Sequence, residues 1–257
     1  MERFRGGAVQ LEIKSSEPRE NLRRALELIE GSPPADLYLL PELFTTGYRL
    51  SRASKLAEEG EETLQALRRF AGERGSALSG SLLHPFEGGV ANTGFFIDRD
   101  GTLFPFYRKI HLFKPMDEDR YLTPGREPLV WETTFGRVAM AICYDLRFPG
   151  MIRKLAHKGA GLLLVPAEWP GARLNHWRVL SCARAIENGF FVLAANRTGS
   201  SGGESFPGAS RIVDPWGEIL CEGDGAEGVF SGEIDMERLA GARARFNALA
   251  DVVQGVD

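Results

Sequence analysis

Three side chains with reactive chemistry follow apolar runs in this sequence. Leu39-Leu40-Pro41 leads to Glu42, Phe104-Pro105-Phe106-Tyr107 leads to Arg108 and Lys109, and Val138-Ala139-Met140-Ala141-Ile142 leads to Cys143. A thiol, a carboxylate and an ammonium suit nucleophilic catalysis: the sulfur attacks, a base takes its proton, and a cation holds the developing charge. Sites in open α/β sheets form beyond the carboxyl ends of strands, which is where such runs would deliver these groups. Singly, each residue has a plainer reading. Cysteine is among the most buried residue types and packs inertly. A glutamate or lysine near a strand end is more often a solvated charge or half of an ion pair. The surroundings single out Cys143. Tyr144-Asp145-Leu146-Arg147-Phe148-Pro149-Gly150 follows as a strand-to-helix turn, and a helix N-terminus with cations nearby lowers a thiol pKa. Cys182, in mid-helix, and Cys221, in a late strand, lack that setting.

The elements that must position these groups are legible from periodicity. Gly7 to Ile13 alternates as a strand, and Pro18 opens an amphipathic helix running to about Glu30. Leu37 to Leu40 is a short apolar run suited to a strand buried on both faces. Glu61 to Arg74 reads as a helix closed by Gly75, and Ala77 to Leu83 as the next strand. Thr93–Ile97 and Leu103–Tyr107 read as a hairpin across Asp98-Arg99-Asp100-Gly101. Strands are expected at Arg137–Ile142, Leu162–Val165 and Phe190–Ala195, with helices at Met151–Gly159 and Asn175–Asn188. The end, with strands at Ser210–Val213, Glu218–Cys221 and Val229–Ile234, reads as hairpin-like. Alternating strands and helices mixed with hairpins predict an α/β fold with mixed sheets. With neither a repeat nor a linker, residues 1–257 read as a single domain.

Composition excludes several function classes. The net charge is -4, and the basic residues stand singly or in pairs, so no stripe for nucleic acid is present. No apolar run approaches the ~18 residues of a membrane span, and the N-terminal residues lack a signal-peptide pattern. Three widely spaced cysteines argue against a disulfide scaffold and for a reducing, cytoplasmic setting. His84, His111, His157 and His176 form no metal-binding spacing, so neither a metal nor a cofactor is expected. Asn196-Arg197-Thr198 matches a glycosylation acceptor that has no meaning without secretion. Gly223 to Gly228 spells GxGxxG, but a strand rather than a helix follows, so it reads as a glycine hairpin loop. Gly199 to Gly203 spells GxSxG without a following helix and reads as a flexible loop.

Pro41-Glu42-Leu43-Phe44, Arg108-Lys109-Ile110-His111-Leu112-Phe113 and Ile142-Cys143-Tyr144-Asp145-Leu146-Arg147-Phe148-Pro149 together resemble the three signature blocks of the nitrilase superfamily of carbon–nitrogen hydrolases. The resemblance continues through Thr123-Pro124-Gly125, Pro166-Ala167-Glu168-Trp169-Pro170 and Ala183–Asn188 to Asp214-Pro215-Trp216-Gly217-Glu218. It implies a four-layer α-β-β-α sandwich, a homodimer and a Glu-Lys-Cys triad, here Glu42, Lys109 and Cys143. Glu118 best matches the second glutamate that many members carry. In that scheme Glu42 takes the thiol proton and Cys143 attacks an amide carbon. Lys109 and the Tyr144 N–H stabilise the oxyanion, and water hydrolyses the thioester after ammonia leaves.

The stretches His111 to Gly125 and Cys143 to Pro149 resemble the omega-amidase branch, whose substrates are 2-oxo acid amides such as 2-oxoglutaramate. Tyr48, Glu168, Trp169 and Arg173 are then the substrate-binding candidates, with Arg173 as carboxylate clamp. Glu168 departs from the neutral residue expected there and would oppose an anionic substrate unless it pairs with Arg173. Other outcomes stay open: another small-amide or N-carbamoyl hydrolase, a Cys143–His111 dyad, or a catalytically silent scaffold.

Overall fold

The computed structural model describes residues 3–253. The elements run β1 (Arg3–Gln10), α1 (Pro18–Glu30), β2 (Leu37–Leu39), α2 (Ala53–Ala57), α3 (Gly60–Arg74), β3 (Ala77–Phe86), β4 (Gly89–Ile97) and β5 (Tyr107–Arg108). Next come α4 (Glu118–Tyr121), β6 (Val130–Thr133), β7 (Gly136–Met140), α5 (Pro149–His157), β8 (Leu162–Ala167), α6 (Leu174–Asn188) and β9 (Phe191–Asn196). The last are β10 (Thr198–Ser201), β11 (Glu204–Pro207), β12 (Arg211–Val213), β13 (Ile219–Glu222), β14 (Gly228–Asp235) and α7 (Met236–Arg245). Two mixed six-stranded sheets form, in the orders β14-β1-β2-β3-β4-β5 and β13-β12-β9-β8-β7-β6. This is the expected α/β architecture of two mixed sheets with helices outside.

Strand alternation divides the first sheet between two cores. Ala8, Leu37, Leu39, Ala77 and Phe96 face inward and pack with β7, β8 and β9 of the second sheet. Their neighbours Val9, Tyr38, Leu40, Leu78 and Phe95 face outward and meet Ala25 and Ile29 of α1 and Leu64, Leu67 and Ala71 of α3. Period-2 alternation on strands and 3.6-residue periodicity on helices thus account for the layers. β8 and β9 are buried along their whole length, as continuous apolar runs require. Among the described residues no helix is long and apolar enough to cross a membrane.

Several expectations need correction. β1 begins at Arg3 and ends at Gln10, so Leu11 to Ile13 lie beyond the strand. β4 does turn at Asp98–Gly101, but it pairs mainly with β3. Only Tyr107 and Arg108 continue the far side of the expected hairpin as a strand; before Pro105, which cannot donate to a ladder, there is only an isolated bridge, Ile97 to Leu103. Gly199 to Gly203 belongs to the β10–β11 hairpin rather than to a flexible loop. Gly223 to Gly228 is no hairpin loop either. It carries the chain from β13 in one sheet to β14 in the other, where β14 pairs antiparallel with β1. Local sequence cannot distinguish a hairpin from a crossing, since both need the same turn-forming residues.

The sheets approach closely at Gly94 of β4. A Cβ there would lie 2.2 Å from Met140 Sδ of β7. Gly94→Ala is expected to cost about 1–3 kcal/mol through overpacking, read as a lower urea midpoint with an unchanged slope.

Candidate active site

The ends of β2, β5 and β7 deliver Glu42, Lys109 and Cys143 to one place. Glu42 is fully buried. Its Oε1 accepts from Lys109 Nζ, the Tyr48 hydroxyl and Asn92 Nδ2, each at 2.8 Å, and its Oε2 accepts from the Glu168 N–H at 3.0 Å. Lys109 Nζ also reaches Glu118 Oε1 at 2.7 Å, with neither side chain exposed. Glu118 Oε2 accepts from the Phe113 N–H at 2.5 Å. A buried charge is tolerated only when paired and hydrogen-bonded, and all three charges meet that condition. Burial opposes the ammonium, but Glu42 and Glu118 outweigh it and keep Lys109 charged far above the ordinary range. Burial raises the Glu118 carboxyl, with Lys109 opposing and Glu42 adding to the rise. The Tyr48 hydroxyl lies 2.8 Å from both Glu42 Oε1 and Glu118 Oε1. One phenolic proton serves only one of these contacts at a time.

Cys143 sits at φ +46, in the left-handed region that side chains rarely adopt. Leu43, directly after Glu42, and Asp117, directly before Glu118, are left-handed too. Such positions persist only where the surroundings hold them, and they mark functional sites. Asp145 provides the restraint at Cys143. Its carboxylate accepts from the Ile142 N–H at 3.1 Å, the Tyr107 hydroxyl at 2.7 Å and the His111 N–H at 2.9 Å. His111 Nδ1 also contacts Asp145 at 2.8 Å, and the ring stacks on Phe148 with centroids 3.5 Å apart. His111 therefore braces the turn through Asp145, and the charged groups that act on the Cys143 thiol are Glu42, Lys109 and Glu118 rather than His111.

The expectation of a lowered thiol pKa is also corrected. Burial and then Glu42 push the Cys143 thiol well above its ordinary value, with Lys109 opposing. The short turn Cys143–Arg147 is 3-10 rather than a full helix, so its dipole is weak. A thiol held neutral must lose its proton as it attacks, which calls for an adjacent base.

One pocket is lined by Cys143, Tyr144, Tyr48 and Glu168 together with Trp169, Phe113, Arg147 and Arg173; Cys143, Glu168 and Trp169 are buried, and Phe113, Arg147 and Arg173 are partly exposed. The four substrate-binding candidates thus share one pocket with Cys143. Glu168 does not pair with Arg173. Its Oε2 accepts from Arg197 Nη1 at 2.7 Å in a fully buried contact, because Arg197 follows β9 directly and points into the same layer. Arg173 instead lies over the Phe113 ring at 5.6 Å, and its carbonyl accepts from Trp169 Nε1 at 2.8 Å. Arg147 lies over the Trp169 ring at 4.6 Å and contacts His176 Nδ1 at 3.2 Å. Burial, then repulsion from Arg173, lowers the Arg147 pKa. No carboxylate pairs with either arginine among the described residues.

Asn92, Arg147 and Arg197 were missed as site residues. Arg197 follows the apolar run 190–195 with only Asn196 between, and Asn92 lies just before another, so both signals were present in the sequence. Among the described residues no three His, Cys, Asp or Glu side chains gather as a metal site would need.

Burial raises Glu168 to about 7 from 4.5, against the opposing pull of Arg197. Between those pH values the folded chain keeps a proton that the unfolded chain has lost. Stability therefore falls as pH rises through this window, by roughly 3 kcal/mol from this group. Urea unfolding of wild type and Glu168→Gln at several pH values checks this: the difference between them should change across the window and flatten outside it.

A family model described as carbon-nitrogen hydrolase matches residues 6–244. The 2-oxoglutaramate amidase of Bacillus subtilis (strain 168) is 42% identical over 247 residues, covering 95% of each chain. Omega-amidase YafV of Escherichia coli (strain K12) is 35% identical over 234 residues, covering 90% of each. A solved CN-hydrolase superfamily protein from Xanthomonas campestris, with an arsenic adduct in its active site, superposes with a TM-score of 0.92 at 34% identity over 100% of both chains.

Proposed function

The chain belongs to the carbon–nitrogen hydrolase family, and from that premise we propose that it is an omega-amidase, hydrolysing the terminal amide of 2-oxo acid amides such as 2-oxoglutaramate. The observation that carries this reading is the buried Glu42–Lys109–Glu118 cluster beside Cys143, in one pocket with two arginines free of carboxylate partners. A neutral amide suits the buried cluster and a carboxylate suits the arginines. The similarity to an amidase named for 2-oxoglutaramate supports the same choice.

In this reading Glu42 takes the thiol proton as Cys143 Sγ bonds to the amide carbon. The raised thiol pKa supports a concerted proton transfer rather than a standing thiolate. Lys109 Nζ and the Tyr144 N–H hold the oxyanion. Glu42 returns the proton to the nitrogen, the C–N bond breaks, and ammonia leaves a thioester. Glu42 then takes a proton from water, whose oxygen attacks the thioester carbon. The acid departs and the thiol is restored. Glu118 holds Lys109 in place for both halves. Arg147 and Arg173, placed over the Trp169 and Phe113 rings, receive the substrate carboxylate. Trp169 walls the acyl chain, and Tyr48 fixes the two glutamates.

Ammonia release from 2-oxoglutaramate tests the reading. Cys143→Ala and Glu42→Gln should each lower kcat by at least ~10³-fold. Arg147→Gln with Arg173→Gln should raise KM for 2-oxoglutaramate by about tenfold or more, with a far smaller effect on butyramide, which has no carboxylate. No ammonia from any amide, with Cys143 inert to alkylation, would instead favour a silent scaffold.

The protein is further read as a cytoplasmic homodimer without nucleic-acid or membrane partners. Val179 and Ile186 of α6 and Ile219 of β13, each about half exposed, support an apolar contact between copies. Sedimentation should give twice the monomer mass, and Ile186→Arg should shift it towards the monomer.

A further inference from the structure

Glu168 is the residue of the pocket that the reaction scheme leaves without a task. Its backbone already borders the reacting groups: its N–H binds Glu42, and its carbonyl lies 3.9 Å from Cys143 Sγ. Its carboxyl is divided. Oε2 is committed to Arg197, whose Nη2 is itself tied to the Ile13 carbonyl at 2.8 Å. Oε1 is buried and meets no hydrogen-bond partner among the described residues. An unpaired buried carboxyl oxygen costs free energy, and native structures rarely keep one without a use. The space beside it is bounded by Gly47: a Cβ there would lie 3.8 Å from Oε1 and 3.7 Å from Ser15 Oγ.

We propose that Glu168 is a specificity-determining residue whose Oε1 hydrogen-bonds the 2-oxo oxygen of the substrate. This rests on the omega-amidase reading and names the group on the acyl chain that the site selects. With the amide at Cys143 and the carboxylate at Arg147 and Arg173, the oxo oxygen is the one polar atom of such a substrate left to satisfy. A keto oxygen only accepts hydrogen bonds, so Glu168 must carry the proton. An ionised Glu168 would repel the oxo lone pairs and would suit a donor such as an α-ammonium.

The groups facing Glu168 set the balance between these forms. Arg197 beyond β9 and Lys109 beyond β5 favour ionisation, while Glu42 beyond β2 opposes it. Tyr48 and Cys143, both neutral, complete the wall. Burial brings the transition to about 7, so the preference for an oxo group should weaken as pH rises through neutrality.

The test compares kcat/KM for 2-oxoglutaramate, glutaramate and glutamine, which differ only at C2. Ratios are taken from about pH 5.5 to about pH 8.5, so titrations of Cys143 and Glu42 shared by all three substrates cancel. Wild type should prefer 2-oxoglutaramate over glutaramate by about tenfold at the acid end, and that ratio should fall as pH rises. The glutamine-to-glutaramate ratio should move the opposite way. Glu168→Gln keeps an N–H donor and a partner for Arg197, so its oxo preference should persist but lose its pH dependence. Glu168→Ala should bring the ratio near one; if it fails to fold, the pH profile of Glu168→Gln decides alone. The same ratio in wild type and variants at every pH would overturn the proposal while leaving the omega-amidase reading intact. Wild type that hydrolyses none of the three amides would overturn that reading first, and this inference with it.

Discussion

The structure depends on one ammonium group taken out of water. Lys109 has no exposed side-chain surface, and its charge is tolerable only because Glu42 and Glu118 contact Nζ at 2.8 and 2.7 Å. Those carboxylates would be equally costly alone. Each completes its shell with donors from other parts of the chain: Asn92 and the Glu168 N–H for Glu42, and the Phe113 N–H for Glu118. Electrostatics of this kind is cooperative in a structural sense. The segment after β2, the segment after β5 and the start of α4 must arrive together, or each leaves an unpaired charge in the interior.

That constraint explains where the backbone is strained. Leu43, Asp117 and Cys143 take left-handed conformations beside the groups they position. At Cys143 the strain is held by Asp145, which binds the turn to Tyr107 and His111 on the lysine-bearing segment. Nucleophile and ammonium are thereby linked by a second set of contacts, independent of the ion pairs. The thiol gains a fixed position but not a low pKa. In the proposed reaction the neighbouring carboxylate therefore takes the thiol proton at the moment of attack.

The pocket is also polarised along its length. The buried Glu42–Lys109–Glu118 cluster borders Cys143, while Arg147 and Arg173, which line the pocket, are partly exposed. A ligand with a neutral polar head and an anionic tail has one favourable orientation in such a field. Glu168, first read as an obstacle to an anionic substrate, becomes compatible with one because Arg197 pairs with its Oε2 and because burial favours its protonated, neutral form.

Much of this was legible in the sequence by itself. Periodicity located α1, α3, α5 and α6 and the strands β2, β8 and β9 within a residue or two, because burial imposes those periods directly. The positions of Glu42, Lys109 and Cys143 after apolar runs pointed to a shared site, since chain direction alone places strand ends. Pairing across space was a different matter. Nothing local to β14 says that it joins β1 rather than β13. Nothing near Glu168 says that its partner is Arg197, 29 residues away, rather than Arg173, five residues away in sequence. The thiol pKa was misjudged for the same reason: motif context suggested cations and a helix, while burial and a carboxylate decided the outcome. The sequence determined which chemical groups were available and which elements carried them. Only the tertiary structure decided which groups met, because ion pairing, desolvation and sheet crossing depend on distance in space and not on distance along the chain.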